Sequence, residues 1–306
     1  MKRSARTAVV AEGLALVVVA TMIWSAVPVC VKVILRSLDP YTIAWLRFAL
    51  ATATLLPVLW WSAPRRLDRA ERLWIVLGGA GMMGNYTLYN VGLQHTTASA
   101  ANLMVQIEMV VLVFLCRLVL RESLGWWKVA GMAMTVMGIT VVFAGRGALE
   151  TAARAEYLAG NAIVLAAGVS WSFYGLSQKA LANRGAPVAQ ALVGIFGVAA
   201  LFSLGPTLAF HETRGPVTPL VVVCIVIIGA LSTGVGYLLL GRAFRLLDAT
   251  TVGAASSMLP IFTIVSARIF LHEWLTVSLL VGALLVVAGI LTIARQDTAR
   301  SLSVEC

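Results

Sequence analysis

Ten apolar runs, each about 20 residues long, follow one another along the chain with only short polar breaks between them. They lie near 13–35, 41–61, 73–93, 98–118, 127–144, 158–179, 187–209, 219–241, 250–271 and 275–294. A helix rising 1.5 Å per residue crosses a bilayer core of about 30 Å in about 20 residues. Inside lipid every backbone N–H and C=O must be satisfied internally, so repeated runs of this length predict an all-α integral membrane protein with ten transmembrane helices. The composition agrees: 60% of the 306 residues are hydrophobic, 12% are charged, and the mean hydropathy is +0.93. The longest polar connections, APRRLDRAER and GRGALETAARAE, are loop-sized and leave no room for a soluble domain.

The net charge of +10 is explained by orientation and does not call for nucleic acid. With alternating spans, sixteen Lys and Arg fall on the side of the N-terminus and five on the other, while Arg47 and Arg268 lie inside spans. The positive-inside rule then puts both termini in the cytoplasm, as for a multi-pass protein of the cytoplasmic (inner) membrane. MKRSAR before an apolar run resembles a signal peptide, but the run from Gly13 to Leu35 exceeds the apolar core of such signals and reads as a retained first helix. Cys30, Cys116, Cys224 and Cys306 form no CxxC pair, so neither a disulfide nor a metal site is expected.

The chain repeats itself. RLVLRESL (Arg117 to Leu124) matches RIFLHEWL (Arg268 to Leu275) at an offset of 151, which also pairs Gly131 with Gly282 and Gly138 with Gly289. WSAVPVCVK (Trp24 to Lys32) matches WSFYGLSQK (Trp171 to Lys179) at an offset of 147. Five spans per half is an odd number, so the second half inserts upside down relative to the first. Charge follows: Arg121 and Lys128 in the first copy face His272 and Leu279 in the second.

DPYTIAWLRFALA (Asp39 to Ala51), GLQHTTASAANLMVQIEMVVLVFLCRLVLRESL (Gly92 to Leu124) and its echo RLLDATTVGAASSMLPIFTIVSARIFLHEWL (Arg245 to Leu275) resemble the signatures of the EamA-type branch of the drug/metabolite transporter superfamily. The resemblance covers essentially the whole chain. It implies residues 1–150 as a first five-helix repeat and 151–306 as a second, inverted one, and it implies movement of small metabolites, often amino acids and frequently outward. One departure stands out: the proline usual in the fourth helix is Pro260 in the second half but Met109 in the first, so a break in both helices is not assured.

Several residues are candidates for solute contact. Proline within a span removes a backbone hydrogen bond and bends the helix, which makes Pro28 and Pro260 candidate hinges, frees the carbonyls of Trp24 and Ser256, and brings Trp24, Ser256 and Ser257 into the candidate set. The alternative is a packing kink. Trp171, Tyr174 and Gln178 share one helical face suited to stack on an amphipathic solute, and Tyr89 and Tyr237 extend the aromatic set. Interfacial anchoring is the plainer account of Gln178. The i, i+4 pairs Asn85–Tyr89 and Tyr86–Asn90 suit helix-to-helix hydrogen bonding equally well.

Glu108 sits in the middle of ANLMVQIEMVVLVF. An unpaired carboxylate in lipid costs several kcal/mol, so it borders an aqueous cavity and binds a solute amine or a coupling proton, or it serves a buried hydroxyl, amide or Arg47 as a structural partner. At about 100° per residue Glu108 points some 160° from Gln106, so an unbroken helix would send one of them to the cavity and the other to a neighbour. Arg47, Lys32, Lys179 and Arg268 read as snorkelling cations.

No catalytic constellation is present: Gly79, Gly81 and Gly84 spell GxGxxG inside an apolar span, where close helix packing is the better account, and HETRG and HEWLT lack a second histidine. The expectation is a secondary transporter, not an enzyme, without cofactor or metal, exposing a midplane site to each face in turn by rocking its two halves. Its partners are a small-molecule substrate and the lipid bilayer; coupling protons and a homodimer stay open. Uptake or exchange of a sugar or nucleotide derivative is the rival within transport, and a channel or non-transporting scaffold the rival outside it.

Overall fold

In the computed structural model residues 2–62, 64–121, 124–145, 151–247, 255 and 258–304 are described. Among them the only ladder contact is one antiparallel bridge between Leu38 and Thr213; the rest of the regular structure is helical. The helices are α1 (Lys2–Ser25), α2 (Val27–Ile34), α3 (Pro40–Trp61), α4 (Arg69–His95), α5 (Ala98–Val105), α6 (Ile107–Val119) and α7 (Trp126–Ala144). They continue with α8 (Thr151–Asn183), α9 (Val188–Phe210), α10 (Pro219–Val226), a π-helical segment (Ile227–Val235), α11 (Gly236–Leu246), α12 (Leu259–Phe270) and α13 (Val277–Val304).

The starts follow local chemistry. Asp39 caps α3 by accepting from the amides of Tyr41 and Thr42 at 2.9 Å each, with Pro40 in the first turn, where a missing N–H costs nothing. Asp68 and Glu71 form a reciprocal capping box on α4. Thr97 and Thr218 cap α5 and α10.

Seven helical stretches among the described residues are long and apolar enough to cross a membrane, and Leu259–Phe270 and Val277–Ile293 are shorter apolar helices. Exposed Trp60, Trp61, Trp126 and Trp127 at one end and Trp274 at the other suit the two membrane interfaces. This is a multi-pass membrane protein. The 27-residue α4 falls outside the seven although it has the length. It carries Asn85, Asn90, Tyr86 and Tyr89 buried in the bundle, and a helix enclosed by protein needs no apolar outer face.

The tightest packing joins helices from opposite halves of the chain: α4 on α8 and α9, α3 on α9, α7 on α13. Small residues allow it. A Cβ on Gly81 would stand 2.8 Å from the Ser170 carbonyl oxygen, and Ser170 donates to the Gly81 carbonyl at 3.0 Å, so the GxGxxG run is indeed a packing face. Between α7 and α13 the contacts are reciprocal: a Cβ on Gly138 would lie 2.7 Å from the Gly282 oxygen, and one on Gly289 2.7 Å from the Gly131 oxygen. The two halves of the chain therefore interleave in the bundle.

The span containing Pro28 stops and restarts, and a turn precedes the helix that holds Pro260. The chain turns at Ala26 and at Met258, leaving each proline in the first turn of the next helix, α2 or α12. The equivalent break occurs in the first half without proline, at Gln106, through tightened bonds from Gln106 N to Leu103 O and from Met109 N to Gln106 O. Helix α8 packs on that turn, with Gly168 against the Val105 carbonyl and Ser172 donating to the Glu108 carbonyl at 2.9 Å. Tertiary contact holds a break that the sequence left unassured. At the ends of α6 and α12, Arg121 and His272, 151 positions apart, both adopt positive φ, 56° and 54°.

One end of the bundle is tied shut. There Arg214 N donates to Ser37 O at 2.9 Å and Ser37 Oγ to Pro216 O at 2.8 Å; the Glu212 amide donates to Asp39 at 3.1 Å, and Arg214 reaches Gln94. Glu273 accepts from the amides of Ala98 and Ser99 at the start of α5, at 2.6 and 3.1 Å. Lys32 Nζ donates to Thr96 O at 2.6 Å, so it is used inside the protein and does not snorkel. The other end carries the 62–68 and 184–187 connections, joined by Gln190 and by Arg65, which pairs with Glu71.

Candidate functional site

A cavity of about 690 Å³ enters from that second end and runs to mid-bundle. Its lining includes Cys116, Arg117, Lys128, Lys179, Ala182 and Gly241 near the mouth and Trp24, Pro28, Arg47 and Tyr89 deeper in. Among the described residues the closed-end loops contribute nothing to it.

The structure brings together most of the residues singled out from sequence. Trp24, Tyr89, Gln106, Glu108, Trp171, Tyr174 and Tyr237 all line this one space, as does Pro28. Pro260 is buried in the first turn of α12 and is not part of the lining. Ser256 and Ser257 lie outside the described residues, as does Cys306. The aromatic rings form a continuous wall: Trp24 to Tyr237 at 5.3 Å, Tyr237 to Tyr174 at 5.6 Å, and Tyr174 to Trp171 at 5.4 Å between centroids. Trp24 Nε1 donates to Ser232 O at 3.0 Å, which fixes the indole. Gln178 faces the cavity too and donates to the Tyr174 hydroxyl at 3.3 Å, so it is no interfacial anchor.

On α4 the packing reading prevails for the amides, since Asn85 donates to Ala167 O at 2.8 Å and Asn90 to Pro40 O at 3.1 Å. The choice between Gln106 and Glu108 dissolves. The turn at Gln106 interrupts the helical phase, so Asn102, Gln106 and Glu108 all face the cavity. Glu108 is half-buried, and among the described residues its carboxylate has no hydrogen-bond or ion-pair partner; no hydroxyl, amide or arginine claims it structurally.

Arg47, like Lys32, is not the snorkelling cation that the sequence suggests. It is 5% exposed and faces inward. Its guanidinium lies 3.7 Å from the centroid of the Tyr86 ring, Nε donates to Thr233 Oγ1 at 2.7 Å, and Nη2 reaches Ser232 Oγ at 3.3 Å. Ser232 and Thr233 belong to the π-helical segment, where the wider turn lets the Thr233 hydroxyl donate to Ile228 O, five residues back, at 2.8 Å. Arg268, in contrast, is exposed beside Trp274, as expected of a snorkelling cation.

Comparison with known proteins adds a decisive observation. The model of the EamA-like transporter family matches residues 11–144 and again 158–295. The chain belongs to the EamA-like transporter family. An uncharacterized inner membrane transporter of Escherichia coli (strain K12), YhbE, is 27% identical over 293 residues, covering 90% of this chain and 89% of its own. An uncharacterized transporter of Haemophilus influenzae is 25% identical over 84% of this chain and 83% of its own. A "probable terminal-alkyne amino-acid exporter" of Streptantibioticus cattleyicolor is 28% identical over 86% of this chain and 88% of its own. A crystal structure with 18% identity aligns with a TM-score of 0.68 over 94% of this chain and 98% of the other, which shows a shared fold.

Within this EamA-like fold Trp171 and Tyr174 were legible because they stand at helical spacing. Arg47 was not, because its depth depends on how α3 lies against α4 and the π-helical segment.

Proposed function

We propose that this EamA-like protein is a secondary transporter that carries a small metabolite, an amino acid or related compound, out of the cell by alternating access. The observation that carries the reading is a mid-bundle cavity open at one end and tied shut at the other. In this reading the chain crosses the membrane ten times as two inverted five-helix repeats. Support comes from the reciprocal glycine contacts of α7 and α13, the paired positive-φ residues 151 positions apart, and the matched breaks at Gln106 and Met258. The open end carries Arg65, Arg66, Arg117 and Lys128, so the positive-inside rule makes it cytoplasmic and the state inward-open. Export suits a cavity that loads from the cytoplasm, and the Streptantibioticus cattleyicolor relative is a probable amino-acid exporter.

Because the sequence halves interleave, the moving units are a body of α3, α4, α8 and α9 and a body of the remaining helices, with the breaks at Ala26 and Met258, beside Pro28 and Pro260, as hinges. Glu108 takes up a coupling proton or a solute amine. The test is efflux from vesicles loaded with a metabolite mixture, comparing wild type with Glu108→Gln across pH. Saturable efflux with counterflow is expected, and the variant should lose the pH dependence. Non-saturating conductance, or no flux of any metabolite, refutes the carrier.

A further inference from the structure

Among the described residues the charged lining of the cavity is mostly basic. Arg47, Arg117, Lys128 and Lys179 line it against one carboxylate, Glu108. Arg47 and Lys128 are the buried members, and the described partners of Arg47 are all neutral: a phenol ring and two hydroxyls. Among the described residues no carboxylate pairs with it, and Nη1 makes no hydrogen bond. Burying a full charge in this way is costly unless a counter-charge arrives, and a guanidinium fork suits a planar carboxylate.

Two further features point to a ligand in the same space. The side chain of Asn102, 6% exposed and in the lining, leaves its buried Oδ1 without a partner. The aromatic wall from Trp24 through Tyr237 and Tyr174 to Trp171 offers an apolar surface in the same cavity as Arg47. Trp24 and Arg47 are tied to the same short segment, one through Ser232 O and the other through Ser232 Oγ and Thr233 Oγ1.

We propose that the solute is a small amphipathic carboxylate whose carboxylate docks on the guanidinium of Arg47 while its apolar part lies along the aromatic wall. Arg117, Lys128 and Lys179 at the mouth draw the anion in, and Asn102 Oδ1 accepts from a donor group on the solute. This rests on the transporter reading above and narrows its substrate class. An anchor on Arg47 also gives the solute a way to act on the fold, since the same guanidinium holds α3 to the π-helical segment.

The experiment uses the full chain in proteoliposomes with probes that differ only in the acid group: 3-phenylpropionate against 3-phenylpropionamide, and L-phenylalanine against L-phenylalaninamide, with phenethylamine as the cationic control. Wild type should carry the acids saturably and the amides with a half-saturation concentration about 10- to 100-fold higher, the range expected for losing a hydrogen bond to a charged group. Arg47→Lys should keep part of this preference and Arg47→Gln should lose it, with elution profile and thermal unfolding checking that both variants fold. The acid-to-amide comparison on wild type stands even if Arg47→Gln does not fold. Saturable flux that treats acid and amide alike, or that favours phenethylamine, overturns the carboxylate anchor and leaves the carrier standing. Absence of saturable flux for every probe overturns the proposed solute class, and if the metabolite-loaded vesicles also show none, the carrier falls with it.

Discussion

At the scale of single residues the clearest energetic role belongs to Asp39. Its carboxylate is nearly fully buried, accepts from the Tyr41 and Thr42 amides, the Thr42 hydroxyl and the Glu212 amide, and lies 3.4 Å from His211. Burial pushes its pKa up, but the hydrogen bonds from Thr42, Glu212 and Tyr41 outweigh that and hold it below the usual value. A depressed pKa means the stabilisation is present above the unfolded value of about 3.9 and is lost as pH falls through the folded one. Asp39→Ala should therefore cost about 1–2 kcal/mol at neutral pH, and the difference from wild type should shrink below about pH 4, as measured by thermal unfolding in detergent. Glu108 is the opposite case, a carboxylate without a described partner, and its substitution by Gln should leave thermal stability nearly unchanged while altering transport. A large loss of stability in that variant would return Glu108 to a structural role. Glu108 was visible in the sequence as an acid in an apolar run, whereas Asp39 stood there only as the first residue of a motif. Only the packed structure separates a carboxylate with four donors from one with none.

Among elements, the α7–α13 crossing is the most sensitive to volume. Glycines at 131, 138, 282 and 289 let the two backbones touch, and a Cβ at 138 or 289 would fall 2.7 Å from a carbonyl oxygen of the partner helix. Gly138→Val and Gly289→Val should each destabilise the bundle by about 1–3 kcal/mol or separate the two helices, read from melting temperature and from cross-linking between α7 and α13. Matching effects at the two sites, which occupy equivalent places in the repeat, are the expected result. The positive φ of Arg121 and His272 gives a milder effect of the opposite sign: glycine at either position should stabilise by about 1 kcal/mol, since an L-residue pays to sit in the left-handed region. The offset alone made Gly131 and Gly138 equivalent to Gly282 and Gly289; that Gly138 meets Gly282 and Gly131 meets Gly289 is a matter of packing. The turn at Gln106 could not be read from the sequence, because no proline marks it and its cause lies on α8.

For the whole molecule, the proposed alternating access requires a change of state at the closed end. Leu38 and Thr213 form an antiparallel bridge there, and backbones so placed suit a disulfide. Leu38→Cys with Thr213→Cys should stop flux under oxidising conditions and regain it on reduction; flux that continues through the oxidised protein would show that this end need not open. Labelling of single cysteines at Arg121 and His272 should report opposite sides of the membrane, as the inverted arrangement requires.

The chain's hydrophobic periodicity determined that it spans a membrane by helices, and its internal offsets pointed to two related halves, because both are properties of residue order and of the bilayer's thickness. The tertiary structure decided how the halves interleave, that α5 and α6 part at Gln106, and that Arg47 lies buried in the cavity. Those depend on which helix face meets which neighbour, and such contacts join residues far apart in the chain, where no local spacing can encode them.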